Sequence, residues 1–207
     1  DRMALSAVSM IYENLPLAYN DGANLAAREK MALASTYAGL AFTRANVGNV
    51  HAIAHQLGGK YHTPHGLANA IMLPQVLRFS APEITAKLAM LAVRAKVGNE
   101  SQPEEELADR FLDSVEALAA SIGIPRRLDA LRAADIPALA DAACWEADTN
   151  YPVPRRMTQE DCESMLRAVL PEVRQAAEAA PRKRAAGKKA TAPGAVKTRR
   201  RRSTGQA

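Results

Sequence analysis

The sequence predicts an all-α helical bundle followed by a basic, disordered tail, and three observations carry that prediction. Hydrophobic residues make up 48% of the 207 positions but aromatics only 4%, with Ala and Leu dominant, which favours helix packed on helix over a β-sandwich. Apolar residues recur at steps of three and four along the first 180 positions, and no stretch alternates apolar with polar residues as a half-buried strand would. From Pro181 the periodicity stops, and Lys, Arg, Ala, Gly, Thr and Pro remain. Such a segment buries too little apolar surface to offset its ordering entropy. The expected division is a helical domain over residues 1–180 and a tail over 181–207.

Charge follows the same division. The net charge is +5, yet residues 181–207 hold ten of the 27 Lys and Arg and no acid. Residues 1–180 therefore carry 17 basic against 22 acidic residues, a net of −5. The body is mildly acidic and only the tail is basic.

Taken in order, Leu5, Val8, Ile11, Tyr12 and Leu15 predict a helix that ends before Pro16. Asp21 to Ala45 predict a second helix, with Leu25, Met31, Leu33, Tyr37, Leu40 and Ala41 apolar. Its many small residues let neighbours approach closely, so a central position is expected. Val47 to Leu57 continue as helix until Gly58-Gly59 stop it. Lys60 to Pro64 form a loop, and a further helix starts at His65-Gly66. Pro82 opens a helix that closes near Gly98. Ser101-Gln102-Pro103-Glu104 reads as a capping box before an amphipathic helix ending near Gly123. Ile136 to Trp145 are helical, and Thr158-Gln159-Glu160-Asp161 caps a last helix running towards Ala180.

The start, Asp1-Arg2-Met3-Ala4, lacks an initiator Met and a signal pattern and reads as the inside of an amphipathic helix, so a fragment of a longer protein is expected. No apolar run approaches about 18 residues, which excludes a membrane-spanning helix. Cys144 and Cys162 are too few for a disulfide framework and lie outside CxxC spacing. They are expected to be free thiols in a reducing compartment, the cytoplasm.

All four histidines fall within fifteen residues: His51, His55, His62 and His65. His51 and His55 are four apart on an expected helix, so their rings share a face, as when one helix gives two imidazoles to a divalent metal. Position 52 is Ala, so the zinc-protease pattern HExxH is not met. Gly48, Ala52, Ala54, Gly58 and Gly59 leave an open backbone surface around the rings, and Pro64-His65-Gly66 puts a further imidazole where a turn meets a helix. Imidazole suits iron, zinc, copper and nickel alike. Surface or core histidines clustered by chance are the plainer alternative.

The run Gly48-Asn49-Val50-His51-Ala52-Ile53-Ala54-His55-Gln56-Leu57-Gly58, then Pro64-His65-Gly66-Leu67-Ala68-Asn69-Ala70 and Leu73-Pro74, resembles the C-terminal signature of iron-containing (group III) alcohol dehydrogenases. The family pattern is Gly-x-x-His-x-x-x-His-x-x-Gly, a short loop, Pro-His-Gly-x-x-Asn-Ala and Leu-Pro. Similarity runs from residue 1 to about residue 170, through Arg28-Glu29-Lys30-Met31, Ile124-Pro125 and Pro152-Val153-Pro154-Arg155. The resemblance implies the all-helical C-terminal domain of a dehydroquinate-synthase-like fold, with His51 and His65 as metal ligands. It sets His55 beside the metal and the nicotinamide as a proton relay, and it demotes the His51 and His55 ligand pair that spacing alone offered. His62 falls where the family varies and receives no role.

The resemblance further implies Fe(II), with Zn(II) as the alternative, and NAD or NADP held mainly by an N-terminal half that this chain lacks. An alcohol would pass hydride to the nicotinamide, giving an aldehyde or ketone, or the reverse, in an enzyme that pairs as a homodimer. The family completes its metal site with an upstream Asp-x-x-x-His, whereas Asp1 is followed at position 5 by Leu. The chain alone is therefore expected to be inactive. Residues 148–156 are expected to form a loop near the active cleft, or only a Pro-rich structural turn. The competing reading is a non-catalytic helical remnant whose tail, with Arg182-Lys183-Arg184 and Arg199 to Arg202, binds polyanions. No aromatics interleave with these cations, so nucleic-acid binding is expected to be weak at most.

Overall fold

Helices form over most of the described part of the periodic region, and the structure, a computed structural model, describes residues 2–172. Among them stand α1 (Arg2–Asn20), α2 (Leu25–Ala45), α3 (Asn49–Tyr61), α4 (His65–Arg94), α5 (Glu104–Ser121), α6 (Ile136–Asn150) and α7 (Gln159–Ala168), with a 3₁₀ turn at Ala133–Asp135 before α6. No strand occurs among the described residues. The all-α expectation holds. The boundary at residue 180, the disordered tail and its polyanion contacts lie outside the described residues.

Two cores are strung on α4. The first half of α4 contributes Ala68, Ile71, Met72 and Val76 to a core completed by α3, α6, α7 and the segment around Leu128 and Leu131. Ile53, Leu57, Met72, Leu131, Ile136 and Leu166 are fully buried there, each worth about 1.5–3 kcal/mol in transfer terms. Beyond the kink, Leu88, Ala89, Ala92 and Ala95 pack with Leu107, Ala108, Phe111 and Leu112 of α5. The kink is at Ile84, whose backbone is non-helical (φ −134°, ψ 21°) two residues after Pro82. A proline lacks the N–H and crowds the preceding turn. The expected helix opening at Pro82 is thus the second limb of one long bent helix.

Several expected boundaries differ. Pro16 does not end α1, which runs to Asn20 with the proline inside it; the cost is one backbone hydrogen bond, not the helix. The second helix starts at Leu25, because the Asn24 side chain caps it by accepting from the Ala27 N–H at 3.0 Å. Asn46, with φ 63°, separates α2 from α3, so the two do not run on. Gly58 and Gly59 lie within α3, which ends instead at His62 in the left-handed region (φ 54°, ψ 29°). Ser101 caps nothing: Asn99 Oδ1 accepts from the Ser101 N–H, Gln102 Oε1 from the Asn99 N–H, and α5 follows Pro103 with no side-chain cap. Three glutamates in its first turn complement the helix dipole instead.

Gly123 (φ 74°) closes α5 as expected, its N–H bonding the Ala120 carbonyl while that of Ile124 bonds Ala119. Thr158 caps α7 in a reciprocal box with Asp161, and this helix ends at Ala168; the part of the expected run beyond residue 172 lies outside the described residues. The central position expected for α2 is overturned. It packs chiefly on α1, it buries only Ala27 and Ala34, and Leu25, Leu33, Leu40 and Phe42 are exposed.

Candidate metal centre

The site is built on the turn between α3 and α4. Asn49 opens α3 and its side-chain amide donates to the Arg155 carbonyl at 3.0 Å, which ties the helix start to the loop after α6. Ala52, Ile53, Ala54 and Leu57 bury the opposite side of α3. That leaves His51 and His55, one turn apart, on a face that is not consumed by the core. His62 in left-handed backbone and Pro64 turn the chain sharply, and His65 becomes the first residue of α4.

Three imidazoles meet as a result. The ring centres of His51 and His65 are 5.2 Å apart, those of His55 and His65 5.4 Å, and those of His51 and His55 5.8 Å. His55 and His65 are nearly parallel at 22°. His62, the fourth histidine, is spent on closing α3.

Burial lowers the pKa of His51, the neighbouring His65 and His55 lower it further, and Glu146 opposes them. The ring is thus favoured as neutral imidazole, the form that binds metal. His55 Nδ1 meets Glu146 Oε1 at 2.6 Å. The same oxygen accepts from the Tyr151 hydroxyl at 2.6 Å, and Oε2 accepts from Gln56 Nε2 at 2.8 Å. Donating to this carboxylate, together with burial, pushes the Tyr151 phenol up to about 12. Asn69 Nδ2 donates to the His65 carbonyl at 2.9 Å and sits 3.2 Å from His65 Nε2. Its own Oδ1 is buried and, among the described residues, finds no hydrogen-bond partner.

Two imidazoles bound to one ion at about 2.1 Å each stand about 5 Å apart centre to centre, which the 5.2 Å separation of His51 and His65 matches. Among the described residues no three His, Cys, Asp or Glu side chains are arranged to hold an ion between them. The donor set fits two positions of a divalent ion and not a complete shell.

Glu146, Gln56, Tyr151 and Asn69 had no role assigned from the sequence. Asn69 was legible in principle, four residues after His65 on one helix face. Glu146 lies 91 residues from His55, beyond any local pattern. The segment 148–156 begins in the last turn of α6 and continues as a loop. Its Tyr151 and Arg155 brace the site, with the Arg155 guanidinium 4.2 Å over the Phe79 ring. No described helix is long and apolar enough to cross a membrane.

The family model for the C-terminal part of the Fe-containing alcohol dehydrogenase family matches residues 1–170. The chain is 38% identical over 169 residues to 1,3-propanediol dehydrogenase of Citrobacter freundii, covering 81% of this chain and 43% of that protein. It is 42% identical over 137 residues to lactaldehyde reductase of Escherichia coli K12, covering 65% of this chain and 36% of that protein. Among solved structures, a 1,3-propanediol oxidoreductase superposes with a TM-score of 0.78 at 36% identity, over 82% of this chain and 45% of that one. An alcohol dehydrogenase from Oenococcus oeni superposes with a TM-score of 0.77 at 30% identity, over 82% of this chain and 44% of that one. The chain spans less than half the length of these relatives.

Proposed function

We infer that this chain, which belongs to the iron-containing alcohol dehydrogenase family, forms the half of such an enzyme that supplies two metal ligands, His51 and His65, and a proton-carrying imidazole, His55. The proposed reaction is oxidation of a small alcohol to an aldehyde or ketone, or the reverse, with NAD or NADP. The observation that carries it is the 5.2 Å approach of the His51 and His65 rings, with His51 held towards its neutral form.

When bound, the divalent ion, Fe(II) with Zn(II) as the alternative, supplies Lewis-acid polarisation of the alcohol oxygen. The described residues do the rest of the local work. Burial of the α3 core fixes the backbone from which His51 projects, and the turn at His62 brings His65 to it. Among the described residues, His65 Nε2 has the 3.2 Å contact to Asn69 to exchange for a ligand bond. His55 is 39% exposed at its side chain, so a proton received there has a route to solvent, a task suited to imidazole near neutral pH. The remaining ligands and the dinucleotide site have to come from residues other than those described. On this reading the described half does not turn over by itself.

Metal titration tests the reading. Calorimetry of the full chain with Fe(II) under anaerobic conditions, and with Zn(II), is expected to show binding weakened about tenfold or more by His51→Ala, since even outer-shell partners cost that much. Equal affinity of the two proteins overturns the assignment.

A further inference from the structure

We propose that Glu146 is a positioning residue that holds His55 with its proton on Nδ1 and leaves Nε2 as the bare nitrogen of a ring whose centre lies 5.4 Å from that of His65 and 5.8 Å from that of His51. The proposal rests on the reading of His55 as the proton carrier and adds the group that decides which of its nitrogens does the carrying.

The Glu146 carboxyl is touched by three groups: Tyr151 Oη and His55 Nδ1 on Oε1, and Gln56 Nε2 on Oε2. The Gln56 amide is oriented by a second contact, from Nε2 to the Ala52 carbonyl at 3.3 Å. A carbonyl accepts only, so the amide nitrogen faces both partners and donates to both. The Tyr151 phenol donates to a carboxylate. With those two places taken by donors, an ionised carboxylate satisfies every contact at once, and it can only accept from the third. His55 Nδ1 therefore carries the hydrogen, and in the neutral ring Nε2 carries the lone pair.

Position reinforces chemistry. Glu146 is held on α6, its side chain 17% exposed, and Asn150 Nδ2 bonds its carbonyl at 3.0 Å one turn on. Tyr151, just past the helix end, caps the carboxylate from the other side. A free imidazole favours the Nε2–H form, which would put a hydrogen where a proton has to be received. The 2.6 Å contact reverses that preference, as carboxylates do for histidines in metal sites.

Long-range proton–nitrogen NMR on the full, metal-free chain, with ¹⁵N-labelled histidine and at a pH where His55 is neutral, reads the tautomer directly. The wild-type chain is expected to show His55 mainly as Nδ1–H. Glu146→Ala is expected to reverse the major form to Nε2–H, while Tyr151→Phe leaves it as Nδ1–H. Should circular dichroism show that Glu146→Ala does not fold, Glu146→Gln replaces it and is expected to lower the Nδ1–H population. A wild-type ring with its proton on Nε2, or a folded Glu146 variant with an unchanged tautomer, overturns the proposal and leaves the metal assignment standing. An Nδ1–H ring in a chain whose metal binding ignores His51→Ala overturns the functional reading instead, and with it the purpose assigned to Glu146.

Discussion

Helices α2 and α3 are neighbours in the chain and alike in their small residues, yet one lies on the surface and the other in the core. Over 21 residues α2 buries two alanines, Ala27 and Ala34. Over thirteen, α3 buries Asn49, Ala52, Ile53, Ala54 and Leu57. The difference is partners. α3 is flanked by α4 and α6, and Ile53 and Leu57 enter the core those helices share. α2 has chiefly α1 beside it, and its large side chains, Leu25 at 78% and Phe42 at 51% exposure, point elsewhere. Small residues permit close approach; they do not say that a neighbour is there.

The contrast is broken or sharpened by substitution. Ile53→Ala is expected to destabilise the chain by about 2–5 kcal/mol, whereas Leu40→Ala on α2 is expected to stay within about 0.5 kcal/mol. Urea unfolding followed by circular dichroism measures both, and comparable losses would erase the distinction. Gly98→Ala sets a new Cβ against Leu107 Cδ2 of the second core, with an expected cost of about 1–3 kcal/mol. Gly22, where an added Cβ meets nothing within 4 Å, is expected to accept Ala within about 0.5 kcal/mol. Thermal melts of the two variants compare them.

Helix caps should not follow the contrast at all. Asn24 on α2 and Thr158 on α7 each accept from the N–H three residues on, at 3.0 and 3.2 Å. Replacement of either by Ala is expected to cost about 1 kcal/mol, because the bond is local whatever the helix later packs against. A large gap between the two melting shifts contradicts this. A further effect concerns pH. A phenol is neutral when protonated, so a pKa raised on folding from 10.0 to about 12 at Tyr151 stabilises the fold below pH 10. That contribution is lost as pH climbs through 12. Phenolate absorbance compared between wild type and Tyr151→Phe is expected to locate the residue at the alkaline end; ionisation near pH 10 would mean the Glu146 bond is absent.

What was legible in the sequence was local. The helical class follows from periodicity, whereas the pairing of His51 with His65 came from the resemblance to the family, since spacing alone offered His51 with His55. Stops were misread where a residue's habit was outvoted. Pro16 costs α1 one hydrogen bond and no more, and Gly58 and Gly59 stay helical because the αL position that ends α3 is taken by His62. The Glu146 network was not legible, since its donors Gln56 and His55 are 90 and 91 residues away. Periodicity fixes faces of one helix and says nothing about which faces meet.

The account turns on His51 and His65 sharing one ion, and paramagnetic Co(II) titration of the full chain followed by NMR tests this most directly. The ring signals of His51 and His65 are expected to broaden together, saturating at about one ion per chain. Broadening centred on His62, or rings at 51 and 65 that respond independently of each other, would contradict it.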